Sequence, residues 1–270
     1  MRLHEALAAP RRVTVEDTAA LQTDTVSEFA RETLAAARAA LAPRGDRFDD
    51  LRRRLAAWDG AALRTHEEPL VFNAWMRRLQ ILLTQALVGD DATLGGLAWR
   101  DRPHLVRLAL AGDPRLCGAI DCRRAVEESL REAVDAIAGR FGTDVDSWIW
   151  GRAHRADFVH PVFARVKPLD RLLAFELPTE GDNFTVNRGT PGDRASLTDF
   201  PHVHGPGLRA IYDLADLDNS RFMIAPGQSG NPLSPHWGDL AERWASRGYR
   251  TLAPRCSPSP SAGAASASGW

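Results

Sequence analysis

Pro201 to Gly238 reads PHVHGPGLRAIYDLADLDNSRFMIAPGQSGNPLSPHWG, and its punctuation decides the fold of the second half of the chain. In RAIYDL, Arg209, Ile211 and Asp213 alternate with Ala210, Tyr212 and Leu214. This period of two is that of a strand with one face on a core. Met223 to Ala225 is a second short apolar run, and the polar stretch Asp216 to Ser220 between them predicts a turn that folds the two into a hairpin. GQSGNPLSPHWG, Gly227 to Gly238, is a loop dense in Gly, Pro and Ser. It leads into a helix expected from about Pro235 to Arg247.

Upstream of this stretch, LLAFEL (Leu172 to Leu177) and Asn183 to Asn187 are further strand candidates, separated by a turn at Glu180-Gly181-Asp182. Helix signals thin out from Trp148 onward, while Gly, Pro and Asn rise. Before that point the pattern is helical. Arg2 to Ala8 reads as the end of a helix, and Thr14, with Asp17 three residues on, is an N-cap. Ala19, Leu21, Val26, Phe29, Leu34 and Leu41 then predict one long amphipathic helix. Further helices are expected over Leu51–Trp58 (stopped by Asp59-Gly60), Glu68–Val88, Pro103–Ala111 and Arg123–Gly139, with a Gly/Asp-rich loop from Val88 to Trp99. The expected organisation is a helix end over 1–12, a mainly helical lobe over 13–147 and a β-rich segment with a closing helix over 148–254. A low-complexity Ser/Ala/Pro/Gly tail, 255–270, is expected to be disordered. The fold class is therefore α+β.

Composition excludes several function classes. With 34 basic against 35 acidic side chains and a net charge of -1, there is no basic footprint for nucleic acid. No apolar run approaches the roughly 20 residues that span a bilayer, so no membrane partner is expected. MRLHEALAAPRR has no apolar signal region. Cys117 and Cys122 are close enough to pair in an oxidising compartment and equally compatible with free thiols.

The quoted stretch closely resembles the C-terminal end of the penicillin acylase family, N-terminal-nucleophile amidohydrolases whose larger chain closes with a strand, a GQSG-type loop, an SPH step and a short helix. GDNFTVNRGT (Gly181 to Thr190) resembles the family's GDG-x-TVN segment, and SWIWGRAHRADFVHP its WG-x-x-H segment followed by an HP step. VTVEDTAALQTDTVSEFA resembles the helix after the catalytic subdomain, and Trp58-Asp59-Gly60 the family's WDG step. Arg247 to Arg250 resembles its GEYR step, whereas the tail beyond about Arg255 resembles no family ending and reads as a translated scar. The resemblance implies a C-terminal portion of the large chain of an αββα hydrolase. It also implies a linear-amide substrate, such as a penicillin side chain or an acyl-homoserine lactone, and a periplasmic location. In the family a serine at a freed N-terminus attacks, its own α-amine acts as base, and an asparagine and a backbone N–H hold the oxyanion. None of these maps onto a residue here, and the family's calcium site lies mostly upstream. Arg2 is not given the role of the family's arginine. The partners implied are the small chain, the nucleophile-bearing part of the large chain, and an N-acyl small molecule.

Read by themselves, the residues assign no catalytic, cofactor-binding or metal-ligating position. His154, His160, His202, His204 and His236 all fall in the second half. Zinc needs three converging ligands; His202 and His204 could supply two from one strand face, while the plainer reading has all five satisfying backbone groups in loops. Ser229 in GQSGNP lacks the G-x-S-x-G spacing of a nucleophile elbow, so Gln228 and Ser229 read as loop-shaping hydrogen-bonders. Asp182 with Asp193, and Asp216 with Asp218, read as turn residues. The functional expectation is the C-terminal part of an amidase, inactive alone. The other reading is a non-catalytic orphan or interaction module, and the two are separated by whether a serine-led frame lies upstream.

Overall fold

A computed structural model describes residues 2–8, 12–89, 103–118, 120–192 and 196–252. The expected Val88–Trp99 loop, Asp193 and the tail fall wholly or largely outside these. About 47% of the described residues are helical and 11% are strand, so the class is α+β.

The first half is built from helices α1 (Arg2–Ala8), α2 (Val15–Gln22), α3 (Glu28–Ala36), α4 (Asp49–Ala57), α5 (Glu68–Val88), α6 (Pro103–Leu110), α7 (Pro114–Cys117) and α8 (Cys122–Phe141). Thr14 and Asp17 form the expected capping box at the start of α2. The single long helix expected after it is two. Thr23 hydroxyl turns back onto Ala19 carbonyl at 2.8 Å, Asp24 carboxylate accepts from Val26 N at 2.8 Å, and Ser27 caps α3. Thr23, Asp24 and Ser27 within TDTVS offer the backbone local partners that outcompete helical continuation. The apolar periodicity survives the break, which is why it concealed it.

The break is held open by a neighbour. Val26 bridges Ala61, and Ser27 N donates to the Gly60 carbonyl at 2.8 Å. Gly60 has φ +86, and a Cβ there would meet Arg31 Cγ at 2.9 Å and Ser27 O at 3.1 Å. Only glycine fits.

Helix α5 keeps the bounds read from the sequence and is the axis of the helical core. Trp75, Leu79 and Leu83 are fully buried against α8, which contributes Val134, Ile137 and Ala133. Trp75 indole N–H also reaches Val126 O and Ser129 Oγ across that interface, each at 3.1 Å. A disulfide joins Cys117 to Cys122 and ties α7 to the first residue of α8.

The second half continues with α9 (Trp150–Ala153), β1 (Arg155–Phe158), α10 (Leu169–Leu172), β2 (Phe175–Pro178), β3 (Thr190–Pro191), β4 (His202–His204), β5 (Leu208–Ile211), β6 (Arg221–Ile224), α11 (Ala241–Ala245) and β7 (Arg250–Thr251). The strands form a sheet ordered β2-β1-β4-β3, with β1 and β4 parallel, and a second ordered β5-β6-β7, antiparallel throughout. The hairpin is as expected: Leu208 faces Ile224 and Ile211 faces Arg221, with Arg209 and Ile211 buried and Tyr212 and Leu214 exposed.

Three expectations need correction. LLAFEL is split between α10 and β2, so the strand begins only at Phe175. Asn183–Asn187 is a turn, not a strand. Asp182 carboxylate accepts from Phe184 N at 2.7 Å, Thr185 hydroxyl donates to Asn187 O at 2.8 Å, and Asn187 N donates to Asp24 O at 2.8 Å. This plugs Phe184 against Phe29 of the helical core, with ring centroids 4.6 Å apart. The closing helix is five residues long rather than thirteen. Asn231 carboxamide accepts from Leu233 N and Ser234 hydroxyl from His236 N, so side chains hold the residues before it in turns. Among the described residues, no helix is long and apolar enough to cross a membrane.

Two apolar clusters result. The larger joins α3, α5 and α8 and ends on Trp150 and Phe200; the smaller packs Met223, Leu240, Trp244 and Ala245 on Ala156. Leu79→Ala should lower the unfolding free energy by about 2–5 kcal/mol, read as a shift of the urea midpoint at unchanged slope. A loss under about 0.5 kcal/mol would remove α5 from the centre of the core.

Candidate functional site

The polar residues of the second half gather where the two clusters meet. Helix α9 is the WG-x-x-H segment, and the four-residue spacing sets Trp150 and His154 over one another on one helical face. Their rings stack at 4.4 Å and 14°. His202, arriving on β4, stacks on the other face of His154 at 5.1 Å and 7°, and Trp244 of α11 closes the series at 5.8 Å from His202.

Each ring is fixed by a second bond. Trp150 indole N–H donates to Gly181 O at 3.1 Å, and Trp244 indole N–H to Pro206 O at 2.9 Å. His154 Nδ1 lies 2.7 Å from the Phe200 carbonyl, which can only accept, so Nδ1 carries the proton and Nε2 is left buried with no hydrogen-bond partner. His202 Nδ1 lies 2.9 Å from Thr179 Oγ1. Burial, reinforced by His202, lowers the His154 pKa to about 3 despite the Phe200 carbonyl. Burial likewise lowers that of His202 to about 4, against the backbone of His204. Both rings are neutral at pH 7.

Glycines give the rings room. A Cβ at Gly189 would stand 2.6 Å from His154 Nε2 and 2.7 Å from Glu180 O; one at Gly205 would stand 2.2 Å from His202 Nε2. Beside the stack, Glu180 carboxylate meets Arg247 Nε at 3.1 Å, and burial pushes the carboxyl pKa up against the opposing charge of Arg247. Arg247 sits at φ +65 just past α11, the left-handed position that ends a helix.

The structure thus unites His154 with His202 and separates the other histidines from them. His204 is exposed, so the two-ligand pair from one strand face does not form a centre. Among the described residues no three His, Cys, Asp or Glu side chains converge on a point that could hold a metal ion. Nor do these side chains, among the described residues, form a donor set for a calcium ion. His236 lies in the Gly227–Gly238 loop, and His160, just after β1, packs against it. His160 Nδ1 accepts from Val162 N at 3.2 Å and its Nε2 reaches Gly230 O at 3.2 Å, while His236 Nδ1 pairs with Asp239 at 3.1 Å.

Ser229 accepts from Asn231 N at 3.1 Å through its hydroxyl and donates its own N–H to His236 O at 3.1 Å. It shapes the loop and makes no bond to an imidazole. Gln228 is exposed in the same loop. The hydroxyl–imidazole pair of Thr179 and His202 has the separation of a nucleophile and its base, but the two are only 2% and 9% exposed. Asp216 and Asp218 lie in the hairpin turn, where Asp216 carboxylate accepts from Asp218 N at 3.2 Å. Arg2 pairs with Asp24. Thr179, Gly189, Gly205 and Trp244 escaped the sequence reading as site residues, and Glu180 entered it only as a turn residue. Only Trp150 carried a signal, its spacing from His154.

The comparisons agree with this architecture. The penicillin amidase family model matches residues 1–255. The chain belongs to that family. Penicillin acylase 2 proenzyme of Pseudomonas sp. (strain SE83) is 30% identical over 259 residues, covering 90% of this chain and 31% of that protein. An acyl-homoserine lactone acylase, QuiP of Pseudomonas syringae pv. syringae (strain B728a), is 30% identical over 131 residues, covering 46% of this chain and 15% of that protein. The thermostable penicillin G acylase from Alcaligenes faecalis shares the fold at a TM-score of 0.55 and 14% identity, over 93% of this chain and 49% of that one. The chain therefore spans about a third of the length of the first of these relatives. Its fold is that of a part of an N-terminal-nucleophile hydrolase.

If the glycines are spacers for the stack, Gly189→Ala should cost about 1–3 kcal/mol by urea denaturation. Gly230→Ala, where a Cβ would meet nothing within 4 Å, should change stability by less than about 0.5 kcal/mol. Equal effects of the two would discard the spacer role.

Proposed function

We propose that this chain is the C-terminal structural part of a penicillin-acylase-like amidase that hydrolyses a linear amide bond in an N-acyl compound. The carrying observation is the family match over residues 1–255, set beside a second half whose Ser229, His160 and His236 are engaged in holding the Gly227–Gly238 loop. In this reading the nucleophilic serine, its α-amine base and the oxyanion donors are supplied by other acylase segments. So is any calcium site. Relatives named as penicillin and acyl-homoserine lactone acylases support the substrate class.

The role left to this chain is to close the structure around those segments. Strand β5 is an edge of its sheet, and Leu208, Tyr212, Leu214 and Leu217 of the hairpin are all more than 60% exposed. An apolar edge of this kind is a docking face or an aggregation site. We assign it to the nucleophile-bearing acylase segments. The Cys117–Cys122 disulfide supports an oxidising compartment such as the periplasm.

The test is hydrolysis of a chromogenic phenylacetyl or long-chain acyl amide by the purified chain, alone and co-expressed with a serine-led acylase segment encoded upstream. Activity only on co-expression, with loss of self-association, is the expected result. Turnover by the chain alone would overturn the assignment, and a soluble, inactive co-complex would favour a non-catalytic partner.

A further inference from the structure

The stack Trp150–His154–His202–Trp244 runs from one apolar cluster to the other. Trp150 belongs to the helical core and Trp244 to the smaller core beneath the hairpin, and the two imidazoles are the rings between them. An aromatic pair in this place would be indifferent to pH. An imidazole pair is not, because a second proton turns a buried apolar face into a cation lying against another imidazole. His154 Nε2, where that proton would go, is buried with no acceptor, and His202 Nε2 is pressed against Gly205.

We propose that the His154–His202 pair is a proton-operated latch: protonation of either ring parts the hairpin and its Trp244 core from the helical lobe while the lobe keeps its own packing. The lobe can do so because its main contact, α5 against α8, is built mainly from apolar side chains and a neutral indole bond, with the Arg78–Glu132 ion pair confined to its partly exposed rim.

The surroundings offer the cation little. The fixed partners of the two rings are the Phe200 carbonyl and the Thr179 hydroxyl. From β4 itself comes His204, a like charge when protonated. From the loop after β2 comes Glu180, already matched by Arg247, and beyond it Asp182, whose carboxylate holds Phe184 N. On the lobe side Arg77 lies over the Phe200 ring at 4.1 Å. On the hairpin side Arg209 donates to Trp244 O at 2.7 Å and lies over Tyr249.

The direction follows from linkage. Both histidines titrate in the closed state far below the ordinary value of 6.5. Above 6.5 neither state binds the extra proton, and closure is at full strength. Between 6.5 and about 4 the parted state takes protons that the closed state refuses. Closure therefore weakens by up to about tenfold per pH unit for each histidine. Glu180, whose carboxyl is pushed up by burial, acts in the opposite sense over the acid end of the range.

Hydrogen exchange read by mass spectrometry on the whole chain, corrected for intrinsic rates between about pH 7 and pH 5, tests the latch. Protection of 202–211 and 221–224 should fall by at least about tenfold while that of 70–83 holds. His202→Gln keeps a hydrogen-bonding partner for Thr179 and cannot ionise, and should make the fall shallower. Constant protection of the hairpin, parallel loss in 70–83, or an unchanged slope in His202→Gln would each overturn the proposal. Should that variant fail to fold, the contrast between hairpin and lobe in the unaltered chain decides by itself.

Discussion

Much of this structure depends on one face-to-face contact, the imidazole of His154 against that of His202, 5.1 Å apart and nearly parallel. It is one of the places where the helical half meets the stranded half, beside Phe184 on Phe29 and Gln22 on the Ala210 carbonyl. Four other features follow from holding those rings still. Gly189 and Gly205 have no side chain because the ring edges occupy the space. Thr179 follows β2 with its hydroxyl at His202, and Phe200 turns its carbonyl to His154. Trp150 and Trp244 brace the outer faces and anchor their indoles in backbone carbonyls. A buried polar pair of this sort is tolerated only when its donors are matched. Here the matching partners, the Phe200 carbonyl and the Thr179 hydroxyl, come from two separate places in the chain.

The parts of the fold that were legible in the sequence are those fixed by local pattern. Helix α5 shows an apolar stripe with polar flanks, and the hairpin shows alternation around a polar turn; each kept its expected place. Readings failed where side chains bonded to nearby backbone. Thr23, Asp24 and Ser27 cut a helix whose periodicity ran straight through them, and Asp182 with Thr185 curled a segment whose Phe184 and Val186 alternate like a strand. Asn231 and Ser234 shortened the last helix in the same way. Such bonds are invisible to hydrophobic pattern because they involve residues a pattern counts only as polar.

The histidines show the same limit at longer range. Their clustering in the second half was plain, and His154 could be placed one turn from Trp150. That His154 faces His202 depends on β1 and β4 lying side by side, paired through Ala156 and His202. No local signal encodes a parallel neighbour separated by more than forty residues. Trp244, in a short helix next to the loop that drew attention for its serine, went unremarked for the same reason. The proposed role in completing a larger enzyme rests on the same features: polar residues engaged in internal connections and a hairpin that carries exposed leucines and a tyrosine.

The central claim is that His154 is a neutral, Nδ1-protonated ring locked on the Phe200 carbonyl and facing His202. Long-range nitrogen–proton correlation spectra of the imidazoles at neutral pH report tautomer and charge directly. The account predicts a neutral His154 with its proton on Nδ1, unchanged on acidification for as long as the stack stays closed. A Nε2-protonated ring, or one titrating as a free histidine in the folded chain, would contradict it.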